Sequence, residues 1–256
     1  MSPHLPTLPE RFAASGLHII RAGQTSIRQY QVLGERSSAT NFTKRLLGRN
    51  TALTPVETLG WKHGFAQMLA VPPDLLVVCV VRNPESWARS MHAKPWHARP
   101  ALQSLGFSDF IRAPWDSIVD HKRYFGGAAH LVGQPLQQDR DPLTGAPFAN
   151  LLALRTAKLR ALLSFLGRGA NMVLLRAELV QQRPEQVLTV LRAGLQLPPQ
   201  DGEFRPVHKR LGANFKPAAA NRPATPSQIT AADRDFIWNQ LDTDLEAGLG
   251  YSPGGT

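Results

Sequence analysis

The strongest pattern in the chain is an unbroken apolar run, LLVVCVV, at residues 75–81, set between Pro73-Asp74 and Arg82. A continuous run rich in β-branched residues predicts a strand buried on both faces of a parallel sheet. NMVLLR (171–176) reads as a second buried strand, IRQYQVLG (27–34) ends as another, and LHIIRA (17–22) reads as a short one. Helical periodicity fills the spaces between them. ATNFTKRLLG offers Thr40 or Asn41 as N-cap, places Phe42, Leu46 and Leu47 on one face, and is expected to stop at Gly48. NPESWARSMH opens with Asn83 as a possible cap, Pro84 at the first helical position and Glu85 at the positive end. A helix is expected within SDFIRAPWDSIVDHKRYF. NLLALRTAKLRALLSFLG (150–167) and RPEQVLTVLRAGLQL are amphipathic, and TAADRDFIWNQLDTDLEAGLGY supplies a terminal helix. Strands alternating with helices predict an α/β fold of three layers, a central, mostly parallel sheet flanked by helices. A single domain over residues 1–256 is expected, with a loose lead at 1–16 and a less regular, Pro- and Gly-rich stretch at 95–150.

Composition narrows the class. The chain has 256 residues, 43% of them apolar, which is enough for a packed core. No apolar run approaches the roughly 20 residues that span a bilayer, and the start, MSPHLPTLPERF, lacks the apolar stretch of a signal peptide. A soluble, cytoplasmic protein is expected. The single Cys79 excludes an intramolecular disulfide and reads as a small core residue. Lys and Arg outnumber Asp and Glu by 29 to 19, a net +10 that suits an anionic partner.

Two loops follow predicted strands and face the same edge of the sheet, where ligands of open α/β sheets bind. The first, GERSSATN, combines the N–H groups of a turn and a helix start with the hydroxyls of Ser37, Ser38 and Thr40 and the charged fork of Arg36. It can hold a phosphate-sized anion, or its hydroxyls can simply cap the helix. In the second, Arg82 ends a strand and Ser90 follows eight residues later, about two helical turns on and on a shared side.

With RSSATNF and RNPESWARS in order, the chain resembles the sulfotransferases that use 3′-phosphoadenosine 5′-phosphosulfate (PAPS). In that family a Lys-Ser-Gly-Thr-Thr loop holds the 5′-phosphosulfate, and an Arg followed eight residues later by a Ser holds the 3′-phosphate. The resemblance implies a P-loop-like sulfotransferase architecture, with Arg36, Ser37, Ser38, Ala39, Thr40, Asn41 and Phe42 around the 5′ end and Arg82 and Ser90 at the 3′-phosphate. Either Ser37 stands at the family's Lys or Arg36 replaces it in a loop one residue longer; Ala39 stands for a Gly. VLLRAELVQQRPEQVLTVLRAGLQL and LDTDLEAGLGY are similar to later segments of the family, and VHKRLGANFKP (207–217) agrees with its basic loop only at Phe215-Lys216 and scattered bases. The unmatched 95–150 is expected to bind the acceptor.

GWKHG (60–64) completes the set. The family carries a Lys-x-His segment before the Arg-bearing strand, which implies His63 as general base and Lys62 as a cation on the leaving phosphate or the transferring sulfate. A neutral imidazole suits that role near physiological pH. The expected reaction moves a sulfuryl group to a hydroxyl or amine acceptor, leaves adenosine 3′,5′-bisphosphate and needs no metal. Two other readings stay open. A P-loop kinase or NTPase calls for a Walker Lys and a Mg²⁺-binding acid after a strand, where this chain has Arg82. A nucleic-acid-binding protein suits +10 but calls for a basic helix or basic–aromatic stripe, and none stands out; no nucleic-acid partner is expected. His92 and His97 have no acid or Cys at metal-binding spacing.

Overall fold

A computed structural model describes residues 7–199, 202–208 and 215–255. The strands are β1 (Leu17–Ile20), β2 (Gln29–Leu33), β3 (Thr54–Pro55), β4 (Leu75–Val81) and β5 (Asn171–Arg176). The helices are α1 (Phe12–Ser15), α2 (Thr40–Asn50), α3 (Pro84–Ala93), α4 (Pro100–Gln103), α5 (Phe107–Arg112), α6 (Leu151–Leu163), α7 (Ala177–Gln182), α8 (Pro184–Leu195), α9 (Ala231–Gln240) and α10 (Thr243–Gly248). They fall into two compact units, Met1–Asn83 with Lys158–Leu211 and Thr243–Thr256, and Pro84–Ala157 with Gly212–Asp242.

The first unit is an α/β structure around a five-stranded sheet in the order β1-β5-β4-β2-β3. β2, β3, β4 and β5 run parallel, and β1 pairs antiparallel with β5, Leu17 opposite Leu175. Every residue of β4 is buried, as its apolar run requires of a central strand. One face of the sheet packs Val32, Val78 and Val173 against Leu46 and Leu47 of α2 and Leu188 and Leu191 of α8. Cys79 points to the other face, where Sγ lies 3.8 Å from the Leu162 carbonyl of α6. It is fully buried, and burial pushes the thiol pKa up, so it is a core residue.

β3 lies on one side of β2 and β4 on the other. The strand order therefore reverses at β2, and ligand crevices form at the carboxyl ends of strands at such a reversal. The loops after β2 and β4 both open there.

Several elements depart from the sequence expectation. α2 begins after Ala39 with no side-chain cap, instead of being capped by Thr40 or Asn41, and it runs through Gly48 to Asn50. Gly48 is small for packing: a Cβ there would lie 2.9 Å from the Tyr30 hydroxyl, which donates to the Lys44 carbonyl. In the lead, Phe12 is buried within α1. The helix expected in SDFIRAPWDSIVDHKRYF covers only Phe107–Arg112, since Pro114 cannot continue it. The terminal helix is divided into α9 and α10.

The second unit packs α3 against α5 and α9. Trp87 and Trp115 are buried there, and Asn150 caps α6 by accepting from the N–H groups of Leu152 and Ala153. Of 207–217, residues 209–214 lie outside the described residues. Phe215 meets Trp96 edge-on at 5.1 Å between ring centroids.

Candidate functional site

The loop from β2 to α2 starts at Gly34, which allows a close approach of two strand ends: a Cβ there would sit 2.5 Å from the Val80 carbonyl oxygen. Ser38 N–H closes a turn onto the Glu35 carbonyl at 3.2 Å. Ser37 and Ala39 both take left-handed backbone, at φ 64° and 60°, while Ser38 between them does not. Alternation of φ sign aims successive N–H groups toward one side, the arrangement of an anion-binding nest. The nest feeds directly into α2, whose first N–H groups have no partner within the helix and whose dipole favours negative charge. Left-handed backbone is strained for residues with a Cβ and persists where the surroundings impose it.

Arg82, at the end of β4, donates from Nη1 to the Ser37 carbonyl at 2.7 Å, which brings the two strand-end loops together. Arg36 is 2% exposed, with its guanidinium 5.7 Å from the centre of the Trp61 ring. The hydroxyl-bearing Ser38 and Thr40 are buried, Ser37, Ala39 and Phe42 are half-buried, and Asn41 is exposed. Ser90 lies on α3, in the second unit, and is half-buried.

The GWKHG segment is fastened to the same loop. Gln31, a polar residue inside an apolar strand, donates to the Gly60 carbonyl and accepts from Leu59 N–H, both at 2.8 Å. Gly34 N–H donates to the Lys62 carbonyl at 3.0 Å. Lys62 Nζ donates to Asn41 Oδ1 at the first turn of α2. Burial lowers the Lys62 pKa, as does the charge of Lys44, while Glu57 opposes them. His63 Nδ1 lies 2.7 Å from the Gly34 carbonyl. A carbonyl only accepts, so Nδ1 carries the proton and Nε2 is left as the basic nitrogen. Burial holds the His63 pKa well below 6.5, with the charges of Lys62, Arg36 and Lys158 acting the same way against the Gly34 hydrogen bond. The ring is therefore neutral at physiological pH.

Lys158, from α6, and Glu35, inside the loop, also belong to this cluster, although neither is among the site residues expected from the sequence. Lys158 Nζ lies 3.2 Å from Glu35 Oε1 and donates to the His63 carbonyl at 2.7 Å. A signal existed: Lys158 sits on the apolar stripe of its helix, with Leu151, Leu154 and Leu162, where an unpaired Lys is almost never buried.

The structure thus brings the Arg36–Asn41 loop, Lys62, His63 and Arg82 together at the carboxyl ends of β2 and β4. Its equipment is a nest for an anion, cations beside it and a neutral histidine. His92 serves elsewhere, with Nδ1 at 2.7 Å from Thr225 Oγ1 and Nε2 at 3.1 Å from the Leu105 carbonyl. Among the described residues no group of His, Cys, Asp and Glu is placed to hold a metal ion, and no helix is long and apolar enough to cross a membrane.

No family model, curated protein or solved structure matches the chain.

Proposed function

We propose that this chain is a PAPS-dependent sulfotransferase of P-loop-like architecture, acting in the cytoplasm on a hydroxyl or amine acceptor. The observation that carries the reading is the pairing of an anion nest with a histidine whose Nδ1 is committed to the Gly34 carbonyl, a residue of that same loop. The nest and the start of α2 suit the 5′-phosphosulfate, and Arg82 takes the 3′-phosphate.

In the proposed step the acceptor oxygen or nitrogen attacks sulfur and the bond from sulfur to the bridging oxygen breaks. His63 Nε2 takes the acceptor proton, and adenosine 3′,5′-bisphosphate leaves. Charge grows on the bridging oxygen as that bond breaks, so a cation placed there before reaction lowers the barrier. Lys62, held at the first turn of α2, supplies that cation from a neighbouring segment where the loop itself has Ser37, and Arg36 adds charge from the buried side. The residues need no metal for this charge stabilisation.

The test is transfer of radiolabelled sulfate from PAPS to a panel of hydroxyl and amine acceptors, with and without Mg²⁺. Transfer by the wild type, independent of Mg²⁺ and lost in His63→Ala, is the expected result. A wild type that transfers no sulfate but hydrolyses or transfers phosphate from Mg-ATP overturns the reading.

A further inference from the structure

We infer that Glu35 and Lys158 form a buried positioning pair that holds His63 in its proton-accepting orientation. The inference deepens the proposed function and rests on His63 being the base.

The geometry is a closed ring of contacts. The His63 ring donates through Nδ1 to the Gly34 carbonyl at 2.7 Å. Gly34 is bonded to Glu35, Glu35 faces Lys158 at 3.2 Å, and Lys158 donates back to the His63 carbonyl at 2.7 Å. Side chain and backbone of the histidine are thus fixed to adjacent residues of one loop. The side chains of Glu35 and Lys158 are both 4% exposed. Lys158 Nζ also lies 5.7 Å from the Trp61 ring centre and 5.8 Å from that of Phe65, which confines it further.

A buried pair of this kind is a poor device for stability alone. Desolvating two charges offsets most of their attraction, and an apolar pair of the same volume fills a core as well or better. The neighbourhood is otherwise suited to such a replacement: the adjoining cleft is lined by Leu33, Leu159, Leu162 and Phe165 together with Glu35 and His63. What an apolar pair lacks is a donor for the His63 carbonyl and a charge that fixes register between the loop and α6. The charged groups facing His63 are Lys62, Arg36 and Lys158, and Glu35 faces Lys158. All three cations favour the neutral ring, so Lys158 contributes to both its orientation and its protonation state.

The decisive measurement is the nitrogen NMR of the His63 ring through a pH titration, on the full chain, in wild type, Lys158→Met and Glu35→Gln, read beside the kinetics of sulfate transfer. In wild type the ring holds its proton on Nδ1 alone. In Lys158→Met it populates both tautomers and its pKa moves up toward 6.5. A loosened base lowers kcat about 10- to 100-fold, with affinity for adenosine 3′,5′-bisphosphate within about twofold of wild type on the same grounds. Lys158→Arg, which keeps the charge and a donor, recovers most of the loss. If Lys158→Met fails to fold, the near-isosteric Glu35→Gln carries the same readout. Unchanged tautomer and pKa of His63 in a folded variant overturn the pair. Altered His63 signals in a protein whose wild type transfers no sulfate overturn the assigned reaction and leave the pair standing.

Discussion

Two buried carboxylates, one in each unit, have very different surroundings. Asp233, in the second unit, receives Ser108 Oγ on both oxygens at 2.8 and 2.7 Å, Thr230 Oγ1 at 2.9 Å, and Arg112 at 2.5 Å. Glu35, in the first unit, meets Lys158 as an ion pair, with no hydrogen bond of good geometry to either oxygen. Burial would raise the Asp233 pKa, and the bonds from Ser108, Arg112 and Thr230 more than offset it, so the pKa ends below its ordinary value. Asp139 is likewise met by directed donors, accepting from Trp115 Nε1 at 3.0 Å and Ser117 Oγ at 2.7 Å. A carboxylate surrounded by directed donors stabilises its unit. A carboxylate left with one electrostatic partner next to a strained loop and a histidine is poorly explained by stability, and function is the better account of it.

Mutations sharpen that contrast. The largest effect is expected for His63→Ala: removing a general base lowers the transfer rate by about 10²- to 10⁴-fold, while calorimetry finds adenosine 3′,5′-bisphosphate still bound. Arg82→Ala comes next. Loss of a charge-assisted contact weakens that ligand about 10- to 100-fold, and weakens adenosine 5′-phosphate, which has no 3′-phosphate, less, through the lost hold on the Ser37 carbonyl alone. Equal weakening of both would remove Arg82 from the 3′-phosphate. Asp233→Ala should behave in the opposite way, lowering stability to urea by about 2 kcal/mol with ligand affinity unchanged. A matched drop in affinity would erase the distinction between the two regions.

The pH dependences differ too. The Asp233 carboxylate titrates lower in the folded chain than its unfolded value of about 3.9. Its stabilisation is therefore present above about pH 4 and is lost as pH falls through the folded value. His63 is also lowered, so the transfer rate should hold steady down through pH 6.5 and fall only in more acid solution, as Nε2 becomes protonated. A rate that already halves at pH 6.5 would contradict a buried, neutral base. The smallest effect is expected at Ala39: Ala39→Gly relieves left-handed backbone worth about 1 kcal/mol, partly offset by the greater freedom of Gly in the unfolded chain. A small rise in melting temperature, or none, is the outcome; a large fall would mean that φ 60° is not imposed on this residue.

Much of this was legible in the sequence, for identifiable reasons. β4 declared itself because burial on both faces demands an unbroken apolar run, and the parallel sheet followed from alternation of strands and helices. The loop after β2 was visible from its hydroxyls and Arg36, and GWKHG from a Lys and His between glycines. Other features depended on contacts distant in sequence. Gly48 reads as a helix stop, yet its smallness serves the Tyr30 hydroxyl. The left-handed backbone at Ser37 and Ala39 falls on residues that do not advertise it. Lys158 is 95 residues from the histidine whose carbonyl it holds, and no local pattern links them. The edge pairing of β1 with β5 is likewise set by tertiary packing, since a four-residue strand carries no sign of its direction.

Binding of adenosine 3′,5′-bisphosphate, measured by calorimetry without Mg²⁺ and set against adenosine 5′-phosphate and ATP, decides whether the β2–α2 loop and Arg82 form a PAPS site. The bisphosphate should bind at least about tenfold more tightly than adenosine 5′-phosphate, as one added charge-assisted contact implies, and Mg²⁺ should add nothing. Equal affinity for the two adenosine nucleotides, or binding of ATP that depends on Mg²⁺, would contradict that assignment.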